Sequence, residues 1–380
     1  MRAPLCTTAV APASARTLML SARARRWYDP LVSRRQRSIL VASALLAVTA
    51  SVGRAQDADS TRPLRTLAPT HGVRIGTAVA YDALRTDDAY ADVLRREFDV
   101  VTPENAMKWE TLHPHRHAYD FHEADRIVRT ARRAGMEVRG HALVWHAQNP
   151  EWLARALRSR RRAIAILRAH IRRVARHFGR DVAQWDVVNE PLDPLDGRLR
   201  DTLWRRAIGD DYVAIALRLA HRYAPHARLY LNEFGLETPG PKLDGMLALV
   251  ADLRAQGAPL DGVGFQSHVL CLFGCRDTFA AFGASLRRMS DLGVDVAITE
   301  LDVGMPEPVT AASLAEQADT YGAAIDACLS VAHCRTVVLW GFTDRYSWIP
   351  SFWAGLGAAL PFDADYRPKP AYWALHDRLR

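Results

Sequence analysis

Glu190 and Glu300 each close a short, β-branched run, Trp185-Asp-Val-Val-Asn-Glu190 and Val296-Ala-Ile-Thr-Glu300. Glutamate is rarely buried without a partner, so a carboxylate that ends an apolar strand needs either an ion pair or a chemical task. For one such residue alone, a salt bridge to a neighbouring Arg or His is an equally good account. Two of them, each with a polar companion (Asn189 beside Glu190, Asp302 two residues past Glu300), fit a pair of carboxylates that divide acid/base and nucleophilic work.

Strands must carry these residues to one place. The apolar, β-branched stretches predict strands over 73–80, 98–102, 137–145, 182–189, 228–232, 262–268, 294–301 and 337–342. Helical spacing predicts helices over 88–97, 124–134, 160–178, 211–223, 242–256, 278–292 and 313–328, with a closing helix after Pro370. Eight strand-and-helix units without a break in composition imply an α/β chain folded as one (β/α)8 barrel. A doubly wound open sheet is the alternative, but no glycine-rich phosphate loop opens any of the helices.

In a barrel the strand ends converge, and here they carry a consistent set. Glu104, Asn105 and Lys108 follow the second strand, His141, Trp145 and His146 the third, and Asn189 and Glu190 the fourth. Gln266 and His268 close the sixth, Glu300 and Asp302 the seventh, and Trp340, Asp344 and Trp348 the eighth. Carboxylates, amides and indoles without phosphate-binding glycines suit sugars, whose C–H faces stack on tryptophan and whose hydroxyls take paired donors and acceptors. Taken singly, Trp145 and Trp340 are as readily core aromatics, and His141, His146 and His268 satisfied core histidines. A metal-dependent barrel hydrolase is the chemical rival, yet the first strand ends in Ala78-Val-Ala80 with no ligand, so neither metal nor cofactor is expected.

The chain has 380 residues and a formal charge of +8. Nine of its 50 basic residues and one of its 42 acidic residues lie in 1–55, leaving 41 of each in the remainder. The basic balance therefore belongs to the leader and is no reason to expect a nucleic-acid partner. The Arg-rich stretch from Arg155 to Arg173 reads as a solvated helix face. Arg34, Arg35 and Arg37 precede an apolar run from Ile39 to Ala50, with small residues at Gly53 and Ala55. This is a signal-peptide layout with a long basic n-region, too short in its apolar part for a membrane span, so residues 1–55 are expected to be cleaved and the protein secreted or periplasmic. Residues 56–66 are expected to be a linker and 67–380 the barrel, active as a monomer. Cys271, Cys275, Cys328 and Cys334 follow the leader. Two local disulfides, Cys328 with Cys334 and Cys271 with Cys275, fit short connections whose ends can meet; a zinc site is the competing reading, without supporting spacing.

The ordered blocks Thr102-Pro-Glu-Asn-Ala-Met-Lys-Trp109, Gly140-His-Ala-Leu-Val-Trp-His146, Trp185-Asp-Val-Val-Asn-Glu190, Gly264-Phe-Gln-Ser-His268, Ile298-Thr-Glu-Leu-Asp302 and Leu339-Trp-Gly-Phe-Thr-Asp344 resemble glycoside hydrolase family 10, the endo-β-1,4-xylanases. The likeness runs from about Leu67 to the C-terminus. It implies a retaining hydrolase of xylan in which Glu190 is the acid/base and Glu300 the nucleophile. It also implies sugar-binding positions at Glu104, Asn105, Lys108, His141, Trp145, Gln266, Trp340 and Trp348 and a disulfide at Cys328 and Cys334; Asn189, which can hydrogen-bond a sugar hydroxyl, and His268, with Asp302 behind it, are expected to join them. Two places depart from the family pattern: Ala106 replaces a usual acidic residue, and Asn232-Glu-Phe-Gly235 stands where Asn-Asp-Tyr-Asn is usual. Glu190 is expected to hold its proton through burial and the like charge of Glu300, and Glu300 to be kept ionised by His268, itself oriented by Asp302. The indole of Trp348 is expected to crowd the position where a hydroxymethyl group would project.

Overall fold

The computed structural model describes residues 62–380 except 273, 274 and 276. The expected leader and most of the expected linker lie outside the described residues. Among the described residues there are ten strands: β1 (Arg74–Val79), β2 (Val100–Pro103), β3 (Glu137–Val144), β4 (Gln184–Asn189), β5 (Arg228–Glu233), β6 (Gly262–Phe265), β7 (His268–Leu270), β8 (Asp295–Pro306), β9 (Cys334–Leu339) and β10 (Leu356–Gly357). Six of them, β1 to β6, pair in chain order and in parallel. From there β6 pairs with β8, β8 with β9, and β9 returns to β1, which closes an eight-stranded barrel. The expected (β/α)8 architecture is the fold of this chain.

Burial follows from closure. Strands walled by helices on one side and by each other on the other read as continuous apolar runs, and β2, β4 and β6 are buried at every position. The walls come close: a Cβ on Gly140 of β3 would collide with the Trp185 ring of β4, so no larger residue fits there. The helix Arg160–Phe178 buries Ala163, Leu167, His170, Ile171 and Val174 and turns its arginines to solvent, as its spacing predicts.

Among the boundaries that differ from expectation, three have a clear physical cause. The linker assigned to 56–66 is too long, because a helix at Leu64–Leu67 is already packed: Leu64 is fully buried, and its N–H donates to Glu97 at 3.1 Å. The sixth strand does not run through to His268. It breaks at Gln266 and Ser267, where Ser267 takes a left-handed φ of 60°, and resumes as β7. The seventh strand runs to Pro306 instead of ending at Leu301, because past the barrel rim it finds new partners, β7 alongside and β10 antiparallel. Both local disulfides are formed, Cys271 to Cys275 and Cys328 to Cys334.

Candidate active site

Strand geometry gathers the expected residues at the carboxyl ends. Glu300 lies inside β8 with its side chain 6% exposed, and Glu190 follows β4 immediately, 13% exposed. Glu190 has a left-handed φ of 52°, which costs a non-glycine residue about 1–3 kcal/mol and re-aims the side chain as the strand ends. A register shift in the β4–β5 pairing between Asp186 and Val188 falls just before Glu190, and one in the β8–β9 pairing between Ile298 and Leu301 spans Glu300. Bulges of this kind turn a side chain off the regular pleat.

Around Glu300 the expected relay is present. His268 Nε2 lies 3.1 Å from Glu300 Oε2, and His268 Nδ1 lies 3.0 Å from Asp302 Oδ1. Burial pulls the His268 pKa down, but the charges and hydrogen bonds of Asp302 and Glu300 outweigh it and raise it to about 10. His268 is therefore an imidazolium at neutral pH and presents its positive charge to the Glu300 carboxyl. On its other oxygen Glu300 accepts a 2.5 Å hydrogen bond from Asn232 Nδ2, and the same amide donates to Asn189 Oδ1 at 2.8 Å. Thr299 Oγ1 donates to Asn232 Oδ1 at 2.6 Å and fixes which end of that amide faces the carboxylate. Asn232 is a site residue that the sequence reading treated only as part of a divergent block.

Glu190 has a different environment from the one expected. Its Oε2 lies 2.8 Å from His146 Nε2, and its Oε1 accepts from Gln266 at 3.3 Å and from Asn189 at 3.4 Å. Burial raises the pKa, but the hydrogen bond and charge of His146 prevail and hold the carboxyl at about 2. Burial and Glu300 thus do not by themselves keep a proton on Glu190 in the free cleft. His146 stood in the strand-end set without a role; no spacing rule pairs it with a residue 44 positions away.

The remaining positions form one wall. Lys108 Nζ donates to Asn105 Oδ1 at 2.9 Å, and Asn105 donates to Glu104 Oε1 at 3.3 Å. The ammonium lies 5.0 Å from the Trp145 ring centre and 6.0 Å from that of Trp340. Burial lowers the Lys108 pKa, and the charges of Glu300, Glu104 and Glu190 oppose that shift. His141 meets the edge of Trp340 at 5.2 Å between centres and is held from behind by Asp186, at 3.1 Å from Nδ1. Beneath, the fully buried Arg139 pairs with Asp186 and donates to Gln184 Oε1 at 2.8 Å. Trp348 does more than form a wall: its indole N–H donates to Asp302 Oδ2 at 2.7 Å, with the ring 5.1 Å from His268. Asp344 turns away from the cleft to Lys369, at 2.9 Å.

In the divergent block, Glu233 is fully buried and its carboxylate lies 2.8 Å from Lys242 Nζ. It also accepts the backbone N–H groups of Leu192 and Phe234. Burial nevertheless pushes its pKa up to about 7. This pair supports the turn that follows Glu190.

The family model for glycosyl hydrolase family 10 matches residues 63–378. Over 321 residues the chain is 39% identical to endo-1,4-beta-xylanase B of Thermotoga neapolitana, covering 83% of this chain and 91% of that protein. It is 38% identical over 318 residues to endo-1,4-beta-xylanase C of Phanerodontia chrysosporium, covering 82% and 78%. Among solved structures, native xylanase 10B from Thermotoga maritima superposes with a TM-score of 0.79 at 37% identity, over 83% of this chain and 98% of that one. The xylanase 10B of Thermotoga petrophila in complex with xylobiose gives the same TM-score and identity over 83% and 97%. With a barrel of the same fold and a match along nearly all of the described residues, this chain belongs to glycosyl hydrolase family 10.

Proposed function

We propose that the protein is an endo-1,4-beta-xylanase that cleaves internal β-1,4 bonds of xylan with retention of configuration. The observation that carries this is a pair of carboxylates at the strand ends of one cleft, each within hydrogen-bonding distance of a histidine, Glu300 of His268 and Glu190 of His146. Glu300 is the nucleophile: an oxygen lone pair forms a bond to the anomeric carbon as the bond to the glycosidic oxygen breaks, and Glu190 delivers a proton to that leaving oxygen. Water then attacks the same carbon, gives its proton to Glu190 and releases Glu300, which restores both groups. Asn189, held by Asn232 and Gln266, is placed to meet a sugar hydroxyl beside the reacting carbon. Trp145, Trp340 and Trp348 supply apolar faces for pyranose rings, and Glu104, Asn105, Lys108, His141 and Gln266 supply polar partners. The substrate assignment is supported by the xylanase relatives, one of which holds xylobiose. Export is supported by the leader pattern in residues 1–55.

The test is hydrolysis of arabinoxylan and carboxymethyl-cellulose, with Glu300→Ala and Glu190→Ala alongside. Rapid viscosity loss on xylan is expected, abolished in Glu300→Ala and slowed about 10²–10⁴-fold in Glu190→Ala. Comparable rates on both polymers would point to a relaxed β-1,4-glycanase, and activity that survives Glu300→Ala would remove the two-glutamate mechanism.

A further inference from the structure

Trp348 does not end the aromatic surface of the cleft. Beyond it the chain makes one helical turn, Ile349–Phe352, and returns through Trp353 to β10. Along this turn the rings continue outward: His268 to Trp348 at 5.1 Å, Trp348 to Phe352 at 5.2 Å and Phe352 to Trp353 at 5.4 Å. Phe352 is 67% exposed and Trp353 40%. Scattered exposed apolar residues are ordinary, but two adjacent aromatics continuous with a binding cleft are a different matter.

The turn is built to present them. Ile349 and Leu356 on either side are buried, in a small core with Ala359 and Leu360. The Trp353 N–H donates to Ile349 O at 2.8 Å, and the Ser351 hydroxyl to Trp348 O at 2.7 Å. The return leg is fastened to β8 by the pairing of Leu356 with Pro306, and by Glu307 N–H donating to Gly355 O at 3.0 Å. Since β8 also carries Glu300 and Asp302, the exposed rings are fixed to the same strand as the proposed nucleophile.

The geometry points to a distal subsite on this turn: Phe352 and Trp353 form a stacking platform for pyranose units of the same polysaccharide chain whose scissile bond lies between Glu190 and Glu300. A β-1,4-linked pentosan is the occupant that fits, because its sugars lack the hydroxymethyl branch and offer flat C–H faces to an aromatic ring. The inference rests on the reading of the protein as a xylanase. It adds a place where polymer is held beyond the sugars in contact with the catalytic groups.

The experiment compares kcat/KM on soluble linear xylan with kcat/KM on an aryl β-xylobioside, which is too short to extend beyond the catalytic cleft. For the double variant Phe352→Ala with Trp353→Ala, the ratio of polymer to short-substrate kcat/KM is expected to fall about fivefold. The aromatic replacement Phe352→Tyr with Trp353→Tyr is expected to keep the wild-type ratio, which separates loss of stacking from collapse of the turn. An unchanged ratio in the alanine variant overturns the platform. An equal fall on both substrates overturns it as well, since the rings would then act only by supporting Trp348. Wild-type protein inactive on both substrates removes the xylanase reading itself, a failure distinguishable from that of the platform.

Discussion

The general acid proposed here must hold a proton when substrate arrives, yet Glu190 in the free cleft is held at about 2 by His146, 2.8 Å away. A sugar that excludes water from the cleft disfavours a charged carboxylate, so bound substrate is expected to raise the Glu190 pKa. In His146→Ala, burial loses its strongest opponent, so the Glu190 titration is expected to move above the ordinary glutamate value, as read by carbon-13 NMR of the carboxyl; a titration unmoved from about 2 would assign the effect to Gln266 and Asn189. His268 gives a second pH signature. Its folded pKa of about 10 lies above the ordinary imidazole value of 6.5, so its contribution to stability is complete below pH 6.5 and is lost as pH rises toward 10. The stability difference between wild type and His268→Gln in urea denaturation should accordingly shrink from pH 6 to pH 10, and a difference that grows would contradict the relay.

At the level of elements, β3 and β4 do more than point side chains upward. Arg139 of β3 and Asp186 of β4 form a buried ion pair, and Asp186, opposite His141 in the register, orients that ring, which meets Trp340. Burial works against the charge on Asp186, but Arg139 and His141 keep its pKa below the usual carboxylate range. Removing one partner of a buried pair leaves an uncompensated charge, so Arg139→Met is expected to cost about 3–5 kcal/mol, measurable by chemical denaturation. A loss below about 1 kcal/mol would mean that Gln184 and His141 suffice to hold Asp186.

For the whole molecule, barrel closure extends to the first packed residues. Leu64 and Leu67 are buried, and the Leu64 N–H and the Tyr372 hydroxyl both donate to Glu97, at 3.1 Å each, so one carboxylate ties the start of the domain to its closing helix. A chain beginning at Arg62 should match the full domain in thermal unfolding. One beginning at Ala68 should lose about 4 kcal/mol, by deletion of two buried leucines. Equal melting of the two would place the domain start at 67, where the sequence pattern placed it.

Much of this was legible in residue order. Parallel strands buried on both faces write themselves as apolar runs, and long helices show a 3.6-residue period, so the eight barrel strands and the helices of nine or more residues were located to within a few positions. The short helices Tyr81–Thr86, Trp109–Leu112, Glu151–Ala156 and Leu203–Ile208 were not, since four to six residues cannot display a period. Glu190, Glu300, His268 and Asp302 were legible because strand ends converge in any such barrel. The partners Asn232 for Glu300 and His146 for Glu190 lie 68 and 44 residues away in the chain. So does the continuation of β8 past the rim depend on β7 and β10. Local propensity fixes which residues end a strand; which of them come within hydrogen-bonding distance, and therefore which carboxyl carries charge, is set only when the barrel closes and distant strand ends meet.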